Sequence, residues 1–255
     1  MTVKDLHEGL CAVYPKTLSC PWDNDGIMFS PDPGAQVKRV LVSLDATEGA
    51  VRFAAANGFD VLLTHHPMLF RGVKNVTPDT TGGRRILAAA GAGVSVISLH
   101  TRLDAGRGGV NETLCRTLGF EPSGVFGDDE SPELARYADT KPMTGSALAL
   151  IVREKLGCPV VRITGDESAF IRRIGFCGGD GKDFIPAALA KGCQAYVTGD
   201  AGYNMAEDAA EDGLFTVEAG HWHTEAPVCA VLSELATGLT GAYSEIYDSC
   251  AYRIL

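Results

Sequence analysis

The stretch VLLTHHPMLF, residues 61–70, carries the clearest signal for both the fold and the chemistry of this chain. Its first three residues form a short apolar run after Gly58, which is typical of a buried strand that follows a helix. His65 and His66 come where that strand should end, because Pro67 disfavours continuation as a central strand. Neutral imidazoles are common metal ligands, so the pair indicates a metal site. The alternative is one loop histidine beside one capping histidine.

Strands and helices alternate on both sides of this stretch. The sequence predicts a strand at residues 37–45, then a helix that begins after Thr47 and stops at Gly58. A second helix near GRRILAAAG leads to a predicted strand at residues 94–99. Strands that alternate with helices in this way are typical of an α/β fold.

The strand at residues 94–99 ends in HTRLD, which contains two further candidate ligands. His100 and Asp104 could bind a metal ion at the end of this strand. The alternative is a strand-end histidine and a turn aspartate with no ligand role.

The loop CPWDNDGIMFSP, residues 20–31, is rich in turn-forming residues. One interpretation is a loop that borders a substrate or a metal site. The other is an Asx-turn that accompanies a buried tryptophan, Trp22.

The second half of the chain repeats the first half at two spacings. Three framework residues recur 134 positions later and two ligand-type residues recur 121 positions later: Arg39, Gly58 and Thr64 as Arg173, Gly192 and Thr198, and His100 and Asp104 as His221 and Glu225. By the first spacing, the His65–His66 pair falls on Gly199 and Asp200, so the pair occurs only in the first half. Ligand sites in α/β sheets lie at the carboxyl ends of strands. We therefore expect an α/β protein of two pseudo-repeated lobes, with a dinuclear metal site in the cleft between them.

The boundary between the two lobes is predicted in the polar, turn-rich segment EPSGVFGDDESPE, residues 121–133. The first lobe would cover residues 1–125 and the second residues 126–255. A final strand, from about Tyr243 to Leu255, is predicted to close the chain.

The candidate metal ligands share nitrogen and oxygen donors and lie after predicted strands: His65, His66, Asp104, His221 and Glu225, with His100 and His223 close by. Five such donors exceed what one four-coordinate structural zinc ion needs, and the set contains no cysteine. Two divalent ions that share a carboxylate fit this set better, and Zn, Fe and Mn all suit its ligands. Because two divalent ions outweigh two carboxylates in charge, the site should attract an anion such as phosphate.

Composition excludes several other classes of protein. The chain has 255 residues and a net charge of -10, which argues against a nucleic-acid-binding surface. No apolar run is long enough to span a bilayer, and the first ten residues lack the apolar core of a signal peptide. The eight cysteines are scattered without a C-x-x-C pair, which is typical of reduced thiols. A cytoplasmic protein is therefore expected.

Seven short motifs occur in one order along nearly the whole chain: WDNDG, SLDAT, LLTHHP, HTRLD, CGGDG, TGD and GHWHTE. In this combination the chain resembles the NIF-three-like family, whose members carry the name GTP cyclohydrolase I type 2 homologue. The resemblance implies an α/β fold and a two-metal site with the five ligands named above. It also implies a toroidal homohexamer.

One position departs from the pattern of that family. Asn204 stands where the TGD motif is usually followed by a tyrosine and then a histidine. The resemblance therefore leaves one pocket histidine without a counterpart, and His223 could replace it.

Two functions follow from these features. The first is a metal-dependent hydrolase that acts on a nucleotide or another phosphorylated small molecule, with His100 and His223 as proton-transfer groups. The family name narrows this to a GTP cyclohydrolase type of purine ring opening. The alternative is a non-catalytic, oligomeric metal-binding protein with an interaction or regulatory role.

Overall fold

The apolar run around the paired histidines forms a buried strand, Val61–His66, and its last two residues are those histidines. The helix before it begins at Glu48, and the Thr47 hydroxyl caps it by accepting a hydrogen bond from the Ala50 amide at 3.0 Å. This computed structural model describes residues 1–253. Both predictions for this part of the chain are confirmed.

The helices of the described residues are mostly short and amphipathic. Ten are α-helical: α1 (Val3–Val13), α2 (Glu48–Ala56), α3 (Thr81–Ala92), α4 (Thr101–Ala105), α5 (Val110–Thr117), α6 (Gly145–Lys155), α7 (Ile185–Ala190), α8 (Tyr203–Glu211), α9 (His221–Glu225) and α10 (Val228–Thr240). Two short 3₁₀ segments, Lys16–Leu18 and Lys182–Phe184, complete the set. None of these helices is long and apolar enough to cross a membrane.

The strands of the described residues form two sheets: β1 (Gly26–Phe29), β2 (Arg39–Asp45), β3 (Val61–His66), β4 (Ser95–Ser98), β5 (Gly124–Phe126), β6 (Ala135–Thr144), β7 (Arg162–Thr164), β8 (Phe170–Cys177), β9 (Ala195–Thr198), β10 (Phe215–Glu218) and β11 (Tyr243–Tyr247). One sheet has the order β1-β4-β3-β2-β11 and the other the order β5-β6-β8-β9-β10-β7. The predicted α/β class is confirmed.

The chain divides into two compact units. The first combines Met1–Leu103 with Cys229–Tyr252, and the second covers Asp104–Val228. These bounds differ from the predicted lobes, residues 1–125 and 126–255, because the C-terminal segment returns to the first sheet. There β11 pairs in parallel with β2.

The predicted final strand is present over Tyr243–Tyr247. Residues 254 and 255 of that prediction lie outside the described part of the chain.

The core of the first unit lies between its sheet and helices α2 and α3. Leu41, Leu62 and Val96 are in register on neighbouring parallel strands, and all three are fully buried. Alanines of both helices pack against them, together with Phe59. Burying one such side chain contributes about 1.5–3 kcal/mol, so this layer holds β3 and β4 against the helices.

The core of the second unit follows the same plan. Phe176, Val197 and Val217 are in register on β8, β9 and β10 and are buried. Leu148 and Val152 of α6 pack against them.

The predicted repeat extends to individual backbone hydrogen bonds. In the first unit, Asp60 Oδ2 accepts from two successive amides at the start of β2, at 2.7 and 2.9 Å. In the second unit, Gln194 Oε1 accepts from two successive amides of β8, at 2.8 and 3.0 Å. In each unit a glycine follows the last helical residue by two positions, and these glycines, Gly58 and Gly192, have φ angles of +67° and +78°. The two units therefore use the same turn between helix and strand.

A buried ion pair fixes the start of α4 in the first unit. Arg102 is 2% exposed, and its Nε donates to Asp25 Oδ2 at 2.9 Å while Nη2 donates to the other carboxylate oxygen. Lys16 and Ser19 also donate to the Asp25 carboxylate, each at 2.6 Å. Burial raises the pKa of Asp25, but these hydrogen bonds outweigh it and lower the pKa from 3.8 to about 2.

Acid should remove the stability that Asp25 contributes. Its pKa is lower in the folded chain than in the unfolded chain, so this contribution is complete above about pH 4 and is lost as pH falls toward about 2. Urea unfolding of the wild type and of Asp25→Asn at several pH values will measure the contribution of Asp25 to the free energy of unfolding. The difference in unfolding free energy between the two should shrink as the pH falls through this window. A constant difference would contradict the assignment.

Candidate metal centre

Three histidines lie together at the carboxyl ends of β3 and β4 in the first unit. His65, His66 and His100 each place one ring nitrogen within 4.8 Å of the others. The centroids of their rings are 4.8, 5.3 and 5.8 Å apart. His65 is fully buried, and the other two are partly buried. Neutral imidazoles at these distances present the nitrogen donors that Zn, Fe and similar ions prefer.

Each histidine of the candidate site has its Nδ1 atom next to an oxygen. The pairs are His65 with Leu99 O at 3.1 Å, His66 with Asp45 Oδ1 at 2.8 Å, His100 with Asp23 Oδ1 at 2.7 Å, and His221 with Asp200 Oδ2 at 2.8 Å. Carbonyl and carboxylate oxygens only accept hydrogen bonds, so each Nδ1 carries the hydrogen and donates. In the neutral ring the lone pair is then on Nε2. This is the arrangement that fixes the ring and the tautomer of metal-binding histidines.

The second unit supplies two buried carboxylates and a histidine. Asp104 is 9% exposed and Glu225 is 5% exposed, and oxygens of the two carboxylates lie within 4.8 Å of one another. His221 and Glu225 are one turn apart on α9, and Nε2 of the former lies 3.2 Å from Oε2 of the latter. Two carboxylates this close repel each other unless a cation lies near them.

The electrostatics of His221 favour a positive charge at this point. Burial lowers the pKa of His221, but its contacts with Asp200 and Glu225 outweigh burial and raise the pKa to about 11. A bound metal ion would satisfy the same carboxylates. The donor set of each unit therefore fits a divalent cation.

The CGGDG motif, residues 177–181, forms a turn that passes close to Glu225. A Cβ atom on Gly179 would lie 2.1 Å from Glu225 Oε1 and 3.0 Å from His221 Nε2. The Gly179 amide donates to Thr224 Oγ1 at 3.0 Å, which fixes the turn on α9. The motif therefore keeps space for the candidate ligand groups of α9.

Gly179→Ala should weaken metal binding by at least about 10-fold, because the new methyl group displaces the Glu225 carboxylate. Its φ of +63° adds backbone strain of about 1–2 kcal/mol. Gly192→Ala is the matched control, since its φ is +78° but no atom lies within 4 Å of its added Cβ. Competition with a chelating dye measures the metal affinity of both variants. Equal affinities would show that the turn does not shape the site.

The loop at residues 20–31 binds the end of β4. Asp23 Oδ2 accepts from the amide and the hydroxyl of Thr101, at 2.9 and 2.5 Å, while its other oxygen contacts His100. Trp22 is 55% exposed, so the alternative with a buried tryptophan is wrong. Turn-forming residues are recognisable in the local sequence, but the direction of this side chain depends on tertiary contacts.

His223 and Asn204 lie in the second unit. The His223 ring packs edge-on against Trp222, with centroids 5.2 Å apart, and burial lowers its pKa. Asn204 is exposed on α8. Among residues 1–253, the clustered ligand-type side chains include His100 but not His223.

Two aspartates for which the sequence predicted no role, Asp45 and Asp200, orient two of the histidines. Asp45 is the last residue of β2 and is in register with His66 on the neighbouring parallel strand. Each of these aspartates lies at or just after the end of a parallel strand, and that position was the sequence signal for a role in the site. In the repeat, Asp200 corresponds to His66, so the second half has an aspartate where the first half has a histidine.

Asp45→Ala should lower metal affinity about 10- to 100-fold while the chain stays folded, because His66 loses the oxygen that orients it. Asp166→Ala is the control, since that exposed carboxylate contacts only its own turn in the hydrogen bonds to Ser168. The two variants are compared by metal titration and circular dichroism. An affinity unchanged in Asp45→Ala would contradict the orienting role.

Comparisons with known proteins identify the family of this chain. The sequence model of the family described as Duf34/NIF3 (NGG1p interacting factor 3) matches residues 1–246. A Clostridium perfringens protein named GTP cyclohydrolase 1 type 2 homolog is 33% identical over 239 residues, which cover 92% of this chain and 90% of the relative. A Schizosaccharomyces pombe protein named NIF3 homolog is 26% identical over 230 residues, which cover 84% of this chain and 81% of the relative.

A solved structure shares the fold. The crystal structure of the Staphylococcus aureus hypothetical protein SA1388 has a TM-score of 0.90 and 22% identity, and the match covers 100% of this chain and 99% of that one. The chain belongs to the Duf34/NIF3 family.

Proposed function

We propose that this chain is a divalent-metal-dependent hydrolase that acts on nucleotides or other phosphorylated small molecules. The observation that carries the proposal is the common orientation of His65, His66, His100 and His221, each with Nδ1 bonded to an oxygen acceptor. A structural metal site needs no histidine near solvent, whereas the His100 side chain is 17% exposed.

Two divalent ions per chain are proposed, with five direct ligands: His65, His66, Asp104, His221 and Glu225. When bound, such ions supply positive charge that polarises a phosphate or carbonyl group of the substrate. The chain itself supplies the donors and, through Asp45, Asp200 and the Leu99 carbonyl, their orientation. Imidazole and carboxylate donors suit Zn, Fe and Mn, and the metal present in the cell follows from availability.

His100 is proposed as the proton-transfer group. Asp23 holds its Nδ1 hydrogen, so Nε2 is the atom that accepts or returns a proton of the substrate. His223 is the second proton-transfer candidate. The His223 ring packs on Trp222 and is not part of the histidine cluster. We therefore expect replacement of His223 to lower turnover less than replacement of His100.

The name of one relative supports the proposal of a purine nucleotide as substrate. The Clostridium perfringens relative is named a GTP cyclohydrolase 1 type 2 homolog, and that activity is hydrolytic opening of the guanine ring of GTP. We propose this reaction for the present chain, carried out in the cytoplasm by a homo-oligomer, a hexamer by the family resemblance. Light scattering of the purified protein gives the oligomeric state directly.

The test is a substrate screen of protein that has been stripped of metal and reloaded with Zn, Mn or Fe. GTP, other nucleotides and phosphorylated sugars are assayed for ring opening and phosphate release. We expect metal-dependent turnover that falls about 10²- to 10⁴-fold in His100→Gln. His7→Gln, a histidine of α1 that contacts Cys11, is the matched control and should leave turnover unchanged. Absence of turnover in the fully loaded protein would favour the non-catalytic metal-binding alternative.

A further inference from the structure

Two large aromatic side chains are exposed next to His100. Trp22 is 55% exposed and Phe70 is 46% exposed. Their ring centroids are 6.0 Å apart at an interplanar angle of 77°. The two rings, Trp22 and Phe70, are therefore nearly perpendicular and form the two walls of an aromatic corner. The His100 ring lies 6.3 Å from Trp22 and 5.8 Å from Phe70. Single exposed aromatic residues are common, but a pair that faces a histidine of a candidate site is not.

Hydrogen bonds hold the loop of Trp22 in this position. The Cys20 amide donates to Thr101 Oγ1 at 2.9 Å, and Asp23 accepts from the amide of the same threonine at 2.9 Å. The residues on both sides of Trp22 are thus fixed to the start of α4. The exposed ring is therefore presented by a rigid backbone and is not the tip of a free loop.

A further hydrogen bond joins the two loops that carry the rings. The Asn24 side chain donates to the carbonyl of Leu69, the residue before Phe70. The two loops are therefore joined at residues close to the rings. Such a corner is ready to receive a ligand without first reorganising.

We propose that Trp22 and Phe70 bind a planar heteroaromatic ring of the small molecule on which the histidine cluster acts. A flat ring stacks on one wall of the corner and meets the other wall edge-on, which are the two favourable geometries of aromatic contacts. This inference rests on the proposed function, because it names one part of the same substrate. It assigns specificity for the ring to two residues that bind no metal.

The charge near the corner matches an anionic ligand of this kind. Residues 67–78 follow the histidine pair and contain two cations, Arg71 and Lys74, and no acidic residue. Both cations are exposed. This segment carries a charge of +2, in contrast to the net charge of -10 of the whole chain. The two aspartates of the Trp22 loop, Asp23 and Asp25, are paired with His100 and Arg102. A phosphate attached to the ring would therefore be attracted to the same loop.

The test compares two ligands that differ only by the ring. Isothermal titration of the metal-loaded protein uses guanosine 5′-monophosphate and ribose 5-phosphate. Base stacking on an aromatic side chain predicts that Trp22→Ala and Phe70→Ala each weaken binding of the nucleotide by roughly 5- to 150-fold. Neither variant should change binding of ribose 5-phosphate, and Trp22→Phe should keep most of the affinity for the nucleotide.

Phe170→Ala is the matched control, because Phe170 is 73% exposed on β8 of the second unit. It should bind both ligands like the wild type. Equal loss of both ligands in Trp22→Ala, or wild-type binding of the nucleotide no tighter than that of ribose 5-phosphate, would overturn the inference.

The binding test separates this inference from the hydrolase proposal. Ring-dependent binding without turnover would support the aromatic corner and count against the hydrolase. Turnover that is insensitive to Trp22→Ala and Phe70→Ala on every substrate would support the hydrolase and overturn the corner.

Discussion

Replacing His65 and His66 together with alanine is expected to abolish tight binding of metal ions to the first unit. The double change removes two of the three imidazoles that lie within 4.8 Å of one another. Each of the two rings is oriented by its own oxygen acceptor, and the double change leaves His100 as the remaining imidazole of this group. Metal affinity, measured by competition with a chelator, should fall by more than about 100-fold.

His7→Ala is the control for this double change. His7 lies on α1 and contacts Cys11 at 3.4 Å, outside the clustered ligand groups of the described residues. Its removal should leave metal affinity unchanged. Wild-type affinity in the double variant would show that the paired histidines are not ligands.

Arg102→Met is expected to cause the largest loss of stability of any single change considered. Arg102 is 2% exposed, and the Asp25 carboxylate that it contacts is fully buried. Removing the guanidinium leaves a buried negative charge with Lys16 and Ser19 as its remaining donors. Breaking a buried ion pair in this way costs about 3–5 kcal/mol, which is a large part of the stability of an ordinary domain.

The control for this change is Arg173→Met. Arg173 also contacts an aspartate through two nitrogens, but its partner, Asp139, is 53% exposed. Solvent screens that pair, so little stability should be lost. Urea unfolding followed by circular dichroism compares the two variants. Equal, small losses would contradict the role of Arg102 as the anchor of α4.

The sequence was sufficient to predict the elements that surround the histidine pair. The apolar run before Thr64, the cap at Thr47 and the stop at Gly58 are local signals, and the structure places an element boundary at each. The repeat was also visible, because residues that perform the same backbone role recur at a constant spacing. Asp60 and Gln194 illustrate this, since each accepts from two successive amides of a neighbouring strand.

The extent of the units could not be predicted from local signals. The polar segment at residues 121–133 indicates a turn but does not say which sheet the flanking chain joins. The return of β11 to β2 is a contact between segments about 200 residues apart along the chain. No periodicity within either segment encodes that pairing.

The candidate site was predicted in part. Histidines and carboxylates at strand ends were recognisable by residue type, and the structure clusters them within each unit. Their oxygen partners were not recognisable, because Asp23 reaches His100 across 77 positions of the chain. The exposure of Trp22 depends on the same tertiary contacts, so the aromatic corner became evident only with the fold.

The number of metal ions bound per chain decides whether the site is dinuclear. Metal-free protein is titrated with Zn or Mn under equilibrium dialysis, and the bound metal and the protein are both quantified by elemental analysis. The five proposed ligands predict saturation at about two ions per chain. Saturation at one ion, or no binding above that of the His65→Ala/His66→Ala variant, would contradict a dinuclear site.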